Sequence, residues 1–150
     1  MMMSYMTSQM IRIVLDTDVL VAAFDSPTGA ARQLVLDVLD GKGCLIMSTS
    51  LMLEYEAVLT RPKVLEMIGI DATAVLSVLD ELAGLCAPVA LDYRWRPVAS
   101  DPDDDMVIET AINGGADLIA TFNIADMRVG AERFGIAVER PATVLRRLRS

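Results

Sequence analysis

The chain has 150 residues, 53% hydrophobic and 23% charged, with two cysteines, no histidine and a net charge of −8. This predicts one compact domain. The missing imidazole removes Ser-His-Asp and Cys-His catalysis and His-ligated zinc, and the acidic balance argues against a broad nucleic-acid footprint built on Lys and Arg.

In chain order, the opening "MMMSYMTSQM" lacks the charged start and long apolar stretch of a signal peptide, so residues 1–10 read as an N-terminal extension. "IRIVLD" (11–16) is a β-rich apolar run ending on an acid, followed by a helical "VLVAAF" and a turn at "DSPTG". "ARQLVLDVLDG" has helical spacing and stops at Gly41; "CLIMS" (44–48) reads as the second strand; "STSLMLEYEAVLTRP" reads as a helix capped by Ser or Thr and ended before Pro62. Residues 63–86 form a helical pair broken at "GID", and "PVALD" (88–92) is a third strand. "DPDDDMVIETAINGG" is a helix closed by glycines, "ADLIAT" a fourth strand, residues 125–133 a helix, "GIAVE" a fifth strand, and Pro141 opens a C-terminal helix. The longest apolar runs are interrupted by Asp16, Asp18 and Asp25, far short of the roughly 20 apolar residues of a membrane span, so a cytoplasmic protein without membrane contact is expected.

Strands alternating with helices imply a parallel α/β sheet covered on both faces. Ligands of such sheets bind beyond the carboxyl ends of the strands. Asp16, Thr17 and Asp18 leave the first strand there, Ser48, Thr49 and Ser50 the second, and Asn123 and Asp126 follow the fourth; Asp117 begins its strand on the opposite rim. The two lysines, Lys42 and Lys63, sit in no phosphate-cradling glycine loop. Cys44 and Cys86 have neither metal-ligand spacing nor a disulfide framework and read as reduced, packed thiols.

Asp101, Asp103, Asp104 and Asp105 crowd into five positions. As helix-start residues, Asp101 can cap, Pro102 can take the first helical position, and Asp103 and Asp105 can offset the helix dipole. Asp104 is different. At about 100° per residue it falls on the apolar stripe of Val107, Ile108, Ala111 and Ile112, and an inward carboxylate is costly unless paired or bound to metal. An EF-hand is excluded, because its glycine and glutamate positions are Met106 and Ile112. Glu54 and Glu56 both flank the stripe of Leu51, Tyr55, Val58 and Leu59, and periodicity does not choose between them.

Taken together, "IVLDTDVLVAAF", "STSLMLEYEAVLTRP", "SDPDDDMVIETAINGGADLIATFNIADM" and "FGIAVERPATVL" resemble, in order and spacing, the PIN-domain family, in particular its bacterial toxin components of toxin-antitoxin systems. The resemblance covers residues 11–150 and implies a three-layer α/β/α domain with a central parallel sheet of about five strands. It also implies a metal-dependent endoribonuclease holding Mg²⁺ or Mn²⁺ through Asp16, Glu54 and Asp104, with RNA as substrate, a cognate antitoxin as partner and a homodimer as assembly. At the family's final acidic position this chain has Asn123, with Asp126 three residues later as a further metal candidate; Asp18 replaces a usual asparagine. Arg61, Lys63, Arg94, Arg96 and Arg128 are candidates for phosphate contacts. Two alternatives stand beside this reading: an inactive PIN-like domain that binds RNA or a partner, and a haloacid-dehalogenase-type phosphatase using Asp16 and Asp18 of "DTDVL", which lacks a suitably placed lysine.

Overall fold

The computed structural model describes residues 10–90 and 102–150, with side chains from residue 105 onward in the second stretch. Five short strands form one parallel sheet: β1 (Arg12–Leu15), β2 (Cys44–Ser48), β3 (Ala87–Val89), β4 (Leu118–Ala120) and β5 (Ala137–Glu139), in the order β3-β2-β1-β4-β5. Ile13, Val14 and Leu15 are fully buried, as unbroken apolar runs must be when helices cover both faces.

Local chemistry starts and stops the helices. The Asp16 side chain caps α1 (Thr17–Asp25) by accepting the Thr17 N–H; α2 (Ala30–Leu39) follows. Ser48 caps α3 (Thr49–Leu59), and Pro62 opens α4 (Pro62–Ile68), which ends at Gly69 with φ of 74°. Asp71 caps α5 (Ala72–Leu85), so the predicted break at "GID" lies where the structure has it. Beyond β3 come α6 (Pro102–Gly114), α7 (Ile124–Ala131) and α8 (Pro141–Arg149). Several boundaries differ from the sequence reading by a residue or two. The helix expected to reach residue 133 tightens into a 3₁₀ turn at Glu132–Phe134, and the fifth strand begins after the left-handed Gly135. The third strand runs Ala87–Val89, one residue earlier than predicted, and its expected end at 91–92 lies outside the described residues.

The right-handed rule for parallel crossovers places the helices between β1, β2 and β3 on one face of the sheet and α6 and α7 on the other. The packing agrees with this division. Helix α1 packs on α2, α3 and α4, and α8 lies on α2, whereas α6 spans β1 to β4 and meets α7. The result is a three-layer α/β/α sandwich. The sheet reverses its direction of growth between β1 and β4, and the carboxyl ends of those two neighbours form the crevice where open α/β sheets bind ligands.

Two tight contacts hold α6 over the sheet. Gly114 lies so near β2 and β3 that an added Cβ would overlap Ile46 Cγ2 and stand 2.8 Å from Val89 Cγ2. Ser48 at the end of β2 shares a 2.7 Å hydroxyl bond with Thr110 of α6. Among the described residues, no helix is long and apolar enough to cross a membrane.

Candidate metal centre

Asp16 follows the last residue of β1, where its backbone N–H still pairs with Ala120 of β4. Its side chain is 8% exposed and doubly anchored: Oδ1 accepts the Thr17 N–H at 2.8 Å, and Oδ2 accepts the Thr121 hydroxyl at 2.7 Å. Asp16 therefore caps α1 while remaining a buried acid.

Thr121 is fully buried and was not singled out by sequence. Its position immediately after the apolar "LIA" of β4, in register with Asp16, is the signal that could have found it. Its hydroxyl also accepts the Asn123 N–H at 2.9 Å and lies 3.4 Å from Asp18 Oδ2.

Asp18, one residue into α1, turns back to the same place. Its Oδ2 accepts the Phe122 N–H at 3.1 Å, so it keeps the hydrogen bonding that an asparagine oxygen would supply there. Its Oδ1 is buried without a hydrogen-bond partner among the described residues. Burial, reinforced by the neighbouring Asp16 carboxylate, pushes Asp18 up to about 7 against the bonds from Phe122 and Thr121. Two acids packed at one strand end, one with an orphaned oxygen, make a site short of positive charge.

The remaining predicted residues are placed unequally. Glu54 is half-buried on α3, next to Tyr55, whose buried hydroxyl donates to the Leu15 carbonyl and so fastens α3 to the end of β1. Glu56 is also half-buried. Asn123 and Asp126 are exposed at the start of α7, where the Asn123 backbone is tied to Thr121. Arg61, Lys63 and Arg128 are exposed. Asp101, Arg94 and Arg96, and the side chains of Asp103 and Asp104, lie outside the described residues.

Asp105 corrects the helical-wheel reading. Read from sequence only as an acid offsetting the helix dipole, with Asp104 on the apolar stripe, it is 5% exposed, and Glu109 one turn later is fully closed to solvent. The wheel took the single stripe of Val107, Ile108, Ala111 and Ile112 as the buried face, but α6 meets α3 and α7 as well as the sheet, so its buried arc is wider than one stripe. Cys44 and Cys86 are free and half-buried.

Oxygen donors from carboxylates suit hard divalent cations and disfavour soft ones. The crowded Asp16–Asp18 pair, with its orphaned oxygen, fits such an ion. Among the described residues, no three acidic or thiol side chains gather to hold a metal, so the pair needs further ligands.

A parallel α/β/α sandwich with carboxylates at its switch point defines the class. A family model described as a PIN domain matches residues 12–125, and the chain belongs to the PIN-domain family. PIN domains are generally nucleases, so this is a nuclease-type fold acting on nucleic acid. No curated protein matches the chain.

Proposed function

We propose that the protein is a metal-dependent endoribonuclease and the toxin of a toxin-antitoxin pair. The observation that carries the nuclease reading is the pair of buried Asp16 and half-buried Asp18 at the β1–β4 switch point, because two carboxylates forced together at a ligand crevice favour a bound cation. The toxin role, the cognate antitoxin and homodimerisation rest on the resemblance of the ordered motifs.

In this reading Asp16, Glu54 and Asp104 hold Mg²⁺ or Mn²⁺, with Asp126 and Asn123 as the polar groups on the β4 side. The ion would supply an activated water and neutralise charge developing on phosphate. The chain's own part is orientation. Thr121 donates to Asp16 and prevents its carboxylate from turning away, while the Thr17 N–H fixes the other oxygen. Tyr55 holds the helix carrying Glu54 against β1. Phe122 N–H keeps Asp18 at the same rim. With no histidine in the chain, proton traffic falls to water and carboxylates.

Purified protein is tested on structured and unstructured RNA with Mg²⁺, Mn²⁺ or EDTA, beside Asp16→Ala and Asp104→Ala variants. Cleavage that requires the cation and is lost in both variants supports the assignment. Cleavage indifferent to EDTA overturns it, and cation-independent RNA binding without cleavage favours an inactive PIN-like domain.

A further inference from the structure

The sheet register puts a second group of residues beside the acidic pair. Leu15 pairs with Ala120 and Ala120 with Glu139, so the residues that next leave the three strands, Asp16, Thr121 and Arg140, form one row along the carboxyl rim. The row is continued by backbone bonds from Asp16 N–H to Ala120 and from Thr121 N–H to Glu139. Each step between strands is about 5 Å.

Phe122 and Arg140 occupy the outer part of this rim. Phe122 is 41% exposed, the most open aromatic side chain among the described residues, although its own N–H is fixed to Asp18. Arg140 is exposed at the start of α8. The arginines around it are engaged elsewhere: Arg147 pairs with Glu139, Arg149 grips Asp37, and Arg146 reaches Thr143. Arg140, and Arg128 one turn into α7, have no carboxylate partner among the described residues. A solvent-facing ring and free guanidinium groups beside an acidic centre form an unbalanced surface in a chain of net charge −8.

Resting on the nuclease reading, we propose that single-stranded RNA crosses the β1–β4–β5 rim, stacking a base on Phe122 and placing a backbone phosphate on Arg140, with Arg128 flanking. Stacking on an aromatic face needs an unpaired base, and that selects single strands over duplex. The guanidinium groups supply the sequence-independent attraction to phosphate. A second copy of the chain would also cover Phe122, together with the exposed Val129 of α7. The free guanidinium groups favour the polyanion, since an apolar dimer patch has no use for uncompensated charge at its edge.

The test is fluorescence anisotropy of a labelled unstructured oligoribonucleotide in Ca²⁺ buffer over a salt series, with sedimentation and cleavage measured on the same proteins. Phe122→Ala should weaken single-strand binding by roughly tenfold, Phe122→Trp should restore it, and a blunt duplex should be insensitive to both. Arg140→Ala should lower the salt slope by about one, with Arg140→Lys retaining it. Both positions are exposed, so melting curves should match the wild type. Unchanged single-strand binding in Phe122→Ala and Arg140→Ala, with wild-type cleavage intact, overturns this path and leaves the nuclease reading standing. A wild-type dimer dissolved by Phe122→Ala, with binding unchanged, assigns the ring to a second copy and likewise overturns the path. Wild-type protein that neither binds nor cuts RNA overturns the nuclease reading, and the path with it.

Discussion

Thr121 shows how much of the site depends on one hydroxyl. It donates to Asp16 Oδ2 at 2.7 Å and accepts the Asn123 N–H at 2.9 Å, so it links the end of β1 to the loop after β4. Thr121→Val keeps the shape and removes both bonds. Groups that orient metal-ligating carboxylates typically matter by about 10–100-fold in affinity or rate, so Mn²⁺ titration calorimetry and initial cleavage rates should both fall in that range. Asp18 makes a second prediction at this scale. Its folded pKa is raised to about 7 from 3.8, chiefly by burial and then by Asp16, so the folded protein retains a proton that the unfolded chain has released between those values. Stability from this group therefore falls as pH rises from about 4 to 7, the opposite of a salt-bridged carboxylate. With the part of Asp18 still screened by water allowed for, the loss is about 1–2 kcal/mol. Thermal melts in EDTA should drop by several °C between pH 5 and pH 8, and Asp18→Asn should flatten that slope.

At the scale of elements, the two ends of the molecule are held by different chemistry. Helix α6 depends on close approach. Gly114→Ala would drive a methyl into Ile46 and Val89, and overpacking of this kind costs about 1–3 kcal/mol. Differential scanning calorimetry should show a lower Tm, and a companion Val89→Ala change, which removes one of the two methyls in the way, should recover part of it. Helix α8 depends on charge. Arg149 donates Nε to Asp37 Oδ2 at 2.9 Å and Nη2 to Oδ1 at 3.0 Å, and Lys42 stands 3.9 Å away. The Arg149 hydrogen bonds hold Asp37 below the usual carboxylate range, so this contribution is full above about pH 4 and is lost as pH falls through the folded pKa. Arg149→Met should lower Tm at pH 7 and have a smaller effect at pH 3. This window lies below that of Asp18, so the two groups are separable in one pH series. Most of these elements were legible in sequence because period, caps and glycine stops are local. The burial of Asp105 and Glu109 was not, because α3 and α7 widen the covered arc of α6 and neither is adjacent to it in sequence.

For the molecule as a whole, a cation that binds the folded site should stabilise the fold. At a free concentration about a hundred times its Kd, the gain is about 2.7 kcal/mol. Mn²⁺ added to metal-free protein at pH 8 should therefore raise Tm by about 5–10 °C, with Asp16→Asn abolishing the rise. A Tm unmoved by Mg²⁺, Mn²⁺ and Ca²⁺ would remove the metal centre from the proposal. Arg140 belongs to this scale too. Nothing in "VERPATVL" sets Arg140 apart from the other arginines of the C-terminal region, yet the register of three strands places it two positions from Asp16 along the rim.

By itself, the sequence determined the class of the fold, the order of its strands and helices and the exclusion of histidine chemistry, since these follow from composition and short-range periodicity, whereas the preference for Glu54 over Glu56 came from the resemblance of the ordered motifs. Asp16 was found because a charge at the end of a buried strand is conspicuous in one dimension. The tertiary structure alone decided the strand order β3-β2-β1-β4-β5, and with it which chain segments become neighbours at the switch point. That arrangement brought Thr121 and the Phe122 N–H to Asp16 and Asp18, more than a hundred residues away in sequence, and raised the pKa of Asp18. The physical reason is that burial and Coulomb repulsion depend on separation in space, which no local pattern of residues records.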